Sequence, residues 1–203
     1  MPKAVTIYSA RMEWAITEQS LSVGNMRIGP FHGGFKPIAP ISYSDKGLSF
    51  PNMTLILPPT IVKSYDAETG KLALSLQGHP SFYNKLIAIQ NTILDTMYTN
   101  QRGWFSSGRT KTKEEIVAGF QPFVTGGCIH VYCPIFTIGS YNEIQVYSGG
   151  QWVHGTFSKE LLASGKTVRI AVRLQGISFH LHPVTKEWTG RSRIQHRVLA
   201  IYE

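Results

Sequence analysis

Cysteine is scarce in this 203-residue sequence, which contains only Cys128 and Cys133. Two cysteines exclude both a disulfide framework of the kind that holds small secreted domains and a four-cysteine zinc site. No hydrophobic run approaches the roughly 18 residues of a membrane-spanning helix, and Met1-Pro2-Lys3 does not lead into a signal-peptide core. We therefore expect an intracellular protein of a reducing compartment, with no membrane partner.

Acidic residues are also few, since 12 Asp and Glu stand against 20 Lys and Arg. The surplus is uneven: residues 1–99 hold eight basic and six acidic side chains, whereas residues 100–203 hold twelve basic and six acidic. A net charge of +8 favours a polyanionic partner such as nucleic acid. The second half of the chain is where we expect that partner to bind.

Sequence motifs of common enzymes are missing. The chain contains no Gly-x-x-x-x-Gly-Lys-Ser/Thr loop, no His-Glu-x-x-His helix and no Gly-x-Ser-x-Gly elbow. The adjacent pair Glu114-Glu115 lies at a predicted helix start, where negative charge suits the helix dipole. We therefore predict a non-catalytic protein without a cofactor.

The spacing Cys128-x-His130-x-x-Cys133 superficially resembles a zinc site. If residues 128–137 form a strand, Cys128 and His130 point to one face and Cys133 to the other, so the three ligands do not converge. His180 and His182 share a face, but the sequence places no third ligand beside them. We expect no bound metal.

The patterning predicts a mainly β protein of the α+β class. Phe82, Leu86, Ile89, Ile93 and Met97 recur at helical spacing between a predicted N-cap at Ser81 and a stop at Asn100. Short strand-like runs separated by glycine fill most of the chain after Gly127, which indicates an OB-like barrel or a small β-sandwich. Alternation predicts a strand at 4–9, and the strand-like runs in 61–77, with Gly70 in the turn between them, predict a β-hairpin. Residues 1–48 are predicted to be a strand and a Gly/Pro-rich arm that offers a route to a homo-oligomer, and residues 49–203 a single nucleic-acid-binding domain.

A first basic cluster lies in the run Thr167 to Leu174. Its period of two places Val168, Ile170, Val172 and Leu174 on one face, and Arg169 with Arg173 on the other. Arg169 and Arg173 are four positions apart, which on a strand is roughly 13 Å, about the spacing of alternate phosphates on an extended single strand. The alternative is a solvated outer face with scattered cations.

A second basic cluster surrounds one aromatic ring. Its members are Lys186, Trp188, Arg191, Arg193 and Arg197. Cations that hold phosphates beside a ring that stacks on a base bind single strands with little sequence preference. Alternatively, Trp188 is buried and the arginines protect an edge strand from aggregation.

The segment from Gln101 to Lys113 is predicted to be a mobile loop with the same chemistry. Its candidate contact residues are Arg102, Trp104, Phe105, Arg109, Lys111 and Lys113. An exposed Trp-Phe pair on a basic loop is suited to base stacking, with Tyr65 and Trp152 as further candidate rings. The alternative is that Trp104 and Phe105 fold back onto the core and anchor the loop.

The order of these features resembles that of the OB-fold single-stranded DNA-binding proteins of large eukaryotic DNA viruses, the group that includes the African swine fever virus protein. The resemblance is carried by the amphipathic helix at 81–98, the β-rich block from Cys128, the segment from Val168 to Phe179 and the closing run from Trp188 to Tyr202. It implies a barrel whose basic groove holds single-stranded DNA, in preference to RNA, during replication or repair in the host cytoplasm or nucleus.

A viral coat or matrix subunit is the leading alternative. Such a protein would be a β-sandwich whose N-terminal arm exchanges between neighbours, and a basic inner surface would suit it equally well. Particles seen by electron microscopy, as opposed to discrete small oligomers, would distinguish the two functions.

Overall fold

The computed structural model describes residues 15–105, 108–134, 144–153 and 158–203. These residues form a β-rich α+β fold, as the patterning predicts. The strands are β1 (Met26–Ile28), β2 (Ile38–Asp45), β3 (Leu48–Phe50), β4 (Met53–Ile56), β5 (Thr60–Asp66), β6 (Lys71–Ser75), β7 (Phe120–Gln121), β8 (Val124–Thr125), β9 (Cys128–Tyr132), β10 (Gln145–Ser148), β11 (Gln151–Val153), β12 (Thr167–Leu181) and β13 (Trp188–Tyr202), and the α-helices are α1 (Pro80–Trp104) and α2 (Lys113–Gly119). Neither of these helices is both long and apolar enough to cross a membrane.

The centre of the fold is the antiparallel hairpin of β12 and β13, each 15 residues long. The second edge of β12 pairs in turn with β5, β4 and β2. The second edge of β13 pairs in parallel with β10 and β7. Because the hairpin pairs with β2, β4, β5, β7 and β10, its inner face forms a large part of the core and its outer face a large part of the surface.

The remaining strands extend the sheet in the order β5, β6, β9 and β8, all antiparallel. The predicted hairpin at 61–77 is confirmed as β5 and β6, and Gly70 in its turn has the positive φ of 68° that favours glycine. Among the described residues, the path of paired strands runs from β11 to β8 without returning to its start. The sheet of the described residues is therefore open, and these strands do not show the closed barrel that the resemblance implies.

Helix α1 packs its apolar stripe into the core, as its spacing predicts. Phe82, Leu86, Ile89, Ile93 and Met97 are all fully buried. The helix begins two residues earlier than predicted, with His79 in place of Ser81 as its N-cap and Pro80 in its first turn, and it continues to Trp104. It continues past Asn100 because the side chain of Gln101 is buried, where it accepts a hydrogen bond from the Lys111 N–H at 2.7 Å and donates to the Lys111 carbonyl at 2.9 Å.

Helix α2 begins where the acidic pair predicts a helix start. Thr112 and Glu115 form a reciprocal capping box, in which each side chain accepts a hydrogen bond from the backbone N–H of the other residue. Gly119, the last residue of α2, lies against the backbone of β13. A Cβ at this position would lie 2.2 Å from the carbonyl oxygen of Gly190. Only glycine allows the two backbones to approach so closely.

Part of the predicted N-terminal arm is built into the sheet, which corrects the division at residue 48. Strand β2 pairs with β12 through Ala39 opposite Ile177, and Ala39, Ile41 and Tyr43 are fully buried. Prolines and glycines around this segment suggested a loop, but the alternation of buried and half-buried residues in β2 is that of a strand. The predicted strand at 4–9 lies outside the described residues.

Candidate nucleic-acid interface

Five of the predicted arginines share one face of the β12–β13 hairpin. We call this the outer face, and the opposite, inner face carries the fully buried Val172, Leu174 and Ile177. The outer strip consists of Arg169, Arg173, Arg191, Arg193 and Arg197. Three of these side chains, Arg169, Arg191 and Arg193, are exposed, and the other two are half-buried.

The register of the two strands aligns the strip. Arg173 lies directly opposite Arg197, and Arg193 lies opposite Ser178. The pairing shifts at Ala171/Val172, at Leu174/Gly176 and at Phe179/Leu181. No residue is skipped on β12 between Arg169 and Arg173, or on β13 between Arg193 and Arg197, so the arginines of each strand stay on one face.

The strip is electrostatically one-sided. Strands β12 and β13 contain no Asp or Glu. None of the ion pairs among the described residues involves Arg169, Arg191 or Arg193. The Arg169 Nε donates a hydrogen bond to the Leu57 carbonyl at 3.4 Å, which holds the stem of this side chain near the sheet. Positive side chains on strands without acidic residues attract a polyanion along the length of the outer strip.

A small apolar patch interrupts the strip after Arg169. Ile56, Ala171, Leu199 and Ala200 form a buried cluster on the outer face, against which Tyr202 packs. Burial raises the pKa of the Tyr202 hydroxyl, while the nearby charge of Arg169 opposes this shift. Tyr202 therefore stays neutral and adds no negative charge to the strip at physiological pH.

Trp188 is not part of this surface, which corrects its assignment as an exposed stacking ring. The side chain is only 6% exposed, and its indole N–H donates to the Arg191 carbonyl at 3.0 Å. On β13 it shares the inner face with Ser192 and Ile194, opposite to Arg191 and Arg193. The burial that the sequence left as an alternative is what the structure shows.

Trp104 and Phe105 likewise fold back onto the core. Phe105 stacks on Trp188 with the ring centroids 5.1 Å apart, and Trp104 meets Phe179 edge-on at 5.7 Å. Phe31 completes the cluster at 4.8 Å from Phe105. The two rings anchor the segment that was predicted to be a mobile loop, of which residues 106 and 107 lie outside the described part of the chain.

Several cations of the 101–113 segment gather at a separate cleft of about 350 Å³. Its lining includes Arg102, Phe105, Arg109, Lys111 and Trp188, together with Glu187. Arg109 forms an ion pair with Glu115, and Lys113 bonds to Asp95 at 2.6 Å, which raises the pKa of Lys113. Arg109 and Lys113 therefore already have anionic partners, and the cleft itself contains the carboxylate of Glu187.

Lys186 occupies the turn between β12 and β13. Its backbone has a positive φ of 60°, and its ammonium group donates to the Pro183 carbonyl at 2.7 Å. The residue is exposed at the end of the hairpin. Because it lies beyond the paired residues of β12 and β13, Lys186 is not a member of the outer strip.

The predicted alternation in β9 is confirmed. Cys128 and His130 lie on the more exposed face, whereas Cys133 is buried on the other. Burial raises the pKa of the Cys133 thiol to about 12, so this group stays protonated at neutral pH. Within the described residues, no three His, Cys, Asp or Glu side chains are grouped closely enough to hold a metal ion.

Tyr65 and Trp152 are the two further rings that the sequence suggested for base stacking. Tyr65 is half-buried, and its hydroxyl donates to the Cys133 carbonyl at 2.8 Å. The side chain of Trp152 lies outside the described part of the structure. Tyr65 therefore adds no fully exposed aromatic ring to the outer strip.

One exposed aromatic ring was missed by the sequence reasoning. Phe35 is 99% exposed, although it was assigned only to the N-terminal arm. The available signal was its setting, because an aromatic residue between Gly33-Gly34 and Lys36-Pro37 has no periodic apolar neighbours with which to enter a core.

Comparison of the chain with protein-family models, with curated proteins and with solved structures finds no match.

Proposed function

We propose that the protein is a non-catalytic binder of single-stranded nucleic acid, and that the outer strip is its phosphate-binding surface. One observation carries this proposal. Five arginines lie on one face of two adjacent strands that contain no acidic residue. Arginine side chains that neutralise phosphates release counterions, which favours binding without a requirement for base sequence.

The spacing of the strip favours a single strand over a duplex. Arg191 and Arg193 are two positions apart, roughly 6.6 Å along β13. The pairs Arg169/Arg173 on β12 and Arg193/Arg197 on β13 are four positions apart, roughly 13 Å, so the side chains can contact successive or alternate phosphates of an extended chain. The hairpin is long enough for several such contacts. The preference for DNA over RNA, the OB-like arrangement and a role in viral-type replication or repair rest on the resemblance, and they belong to this proposal.

Titration of labelled oligonucleotides tests the proposal. Single-stranded and duplex DNA and RNA are compared at salt concentrations from 50 to 200 mM. If the five arginines each neutralise one phosphate, a single-strand slope of about −0.7 per contact gives a roughly hundredfold loss of affinity over this range. An affinity that does not change with salt, or tighter binding to the duplex, would contradict the proposal.

A further inference from the structure

The loop before β2 exposes one aromatic ring completely. His32 and Ile38 exchange backbone hydrogen bonds of 2.8 and 3.1 Å and so close the loop. At its base, Phe31 packs into the aromatic cluster, 5.5 Å from Phe179. At its tip, Phe35 is 99% exposed. The loop is thus anchored at one end and presents a large apolar side chain to solvent at the other.

The strand register places this loop at one end of the outer strip. Ile38 pairs with Ser178 of β12, and Ser178 pairs with Arg193 of β13. The Phe179 N–H also donates to the Pro37 carbonyl at 3.1 Å, which fixes the loop to the hairpin. Because β2 runs antiparallel to β12, residues before Ile38 continue alongside the end of β12 that follows Ser178. Arg191 lies at this same end of β13.

Phe35 is the most exposed of the large hydrophobic side chains in the described residues. Trp104, Phe105 and Trp188, the rings that the sequence first suggested for stacking, pack on Phe179 or on one another. Phe35 has both ring faces open to solvent. Its neighbour Lys36 is exposed and adds a positive charge rather than an acidic side chain.

We propose that Phe35 stacks on an unpaired base of a strand whose phosphates lie along the outer strip. This inference rests on the proposed function and adds to it the residue that contacts the bases. Each nucleic-acid base has an apolar face that can stack on an aromatic ring, irrespective of sequence. The division of contacts is then clear: arginines hold the backbone, and Phe35 engages a base at the end of the strip.

Three substitutions at this position test the proposal against a thymidine oligonucleotide. Phe35→Ala should weaken binding by about five- to 150-fold, the usual effect of removing one stacking ring, with the salt slope and the melting temperature unchanged. Phe35→Leu should lose as much, since leucine is apolar but has no flat face. Phe35→Trp should bind at least as well as the parent. Leu48→Ala is the matched control, because Leu48 is an exposed apolar residue on a different hairpin, and it should have no effect.

A second oligonucleotide separates stacking from other roles. With an abasic strand of equal length, the parent and Phe35→Ala should bind equally weakly, because no base is present to stack. If the parent binds the thymidine strand with the expected salt slope and Phe35→Ala binds it equally well, the inference on Phe35 is wrong while the proposed function stands. If the parent binds no oligonucleotide, both are wrong. Loss of binding to phosphatidylserine vesicles by Phe35→Ala, with oligonucleotide binding intact, would assign the ring to a membrane surface instead.

Discussion

Trp188 and Phe35 have similar side-chain chemistry, but the backbone gives them opposite environments. Trp188 lies an odd number of positions from Arg191 and from Arg193 on one strand, so alternation directs its ring to the inner face. Phe35 lies in a loop, where strand alternation does not direct its side chain toward the core. Chemical type alone therefore does not identify a stacking residue, because the position of the residue on its strand decides which surface it reaches.

Trp188→Ala tests the structural role of this ring. Truncation of a buried tryptophan should reduce the free energy of unfolding by about 3–5 kcal/mol, while the fraction of protein that remains folded binds oligonucleotide with unchanged affinity. Urea unfolding and binding are measured on the same preparation. Val184→Ala, a substitution of an exposed residue in the adjoining turn, is the control and should change neither quantity.

A different result for Trp188→Ala would contradict the structural role of this ring. Unchanged stability together with weaker binding would show that the ring contacts the nucleic acid, and the burial of Trp188 would then not represent the binding-competent protein.

At the scale of elements, local patterns predict the helix and most strands but not their partners. The spacing of apolar residues predicts the position of α1 in the sequence and its buried face, and alternation identifies the two faces of β12. Pairing of Arg173 with Arg197 depends on register shifts in β12 and β13, and no local pattern specifies these. The contact of β2 with β12 was missed for the same reason, because it joins segments that are more than a hundred residues apart in sequence.

His196 joins two parts of the sheet. Its Nε2 accepts a hydrogen bond from the Tyr132 N–H at 2.8 Å, and its Nδ1–H donates to the Ile194 carbonyl at 3.0 Å. Both bonds together require the neutral ring with its proton on Nδ1. Burial lowers the pKa of His196, and the charge of Arg193 lowers it further. The link between β9 and β13 is therefore formed by the uncharged imidazole.

We expect this link to make stability depend on pH. Because the folded pKa lies below the unfolded value of about 6.5, the unfolded chain binds the proton more readily. The stabilisation is fully present above pH 6.5 and is lost as the pH falls toward the folded pKa, by at most about 1.4 kcal/mol per pH unit. Urea unfolding at pH 7.5 and 5.5 measures it. His196→Gln should remove this part of the pH dependence, and an equal fall in both proteins would contradict the assignment.

At the scale of the whole molecule, the basic residues of the second half divide into two groups. The sequence suggested one continuous groove, in which the 101–113 segment and the closing strand act together. The structure instead separates the outer strip from the cleft that contains Arg102, Arg109 and Lys111. Net charge and its concentration in the second half could be calculated from composition, but this separation depends on which face of β13 each side chain occupies.

Removal of two cations from one group at a time tests most directly whether the outer strip is the interface. The double variant Arg191→Ala/Arg193→Ala and its control Arg102→Ala/Lys111→Ala reduce the net charge equally, so a long-range electrostatic effect would be the same in both. We predict that the salt slope for single-stranded DNA becomes shallower by about 1.4 in the first variant, at about 0.7 for each lost phosphate contact, and stays unchanged in the second. An unchanged slope in the first variant and a shallower slope in the second would place the interface at the cleft and contradict the account.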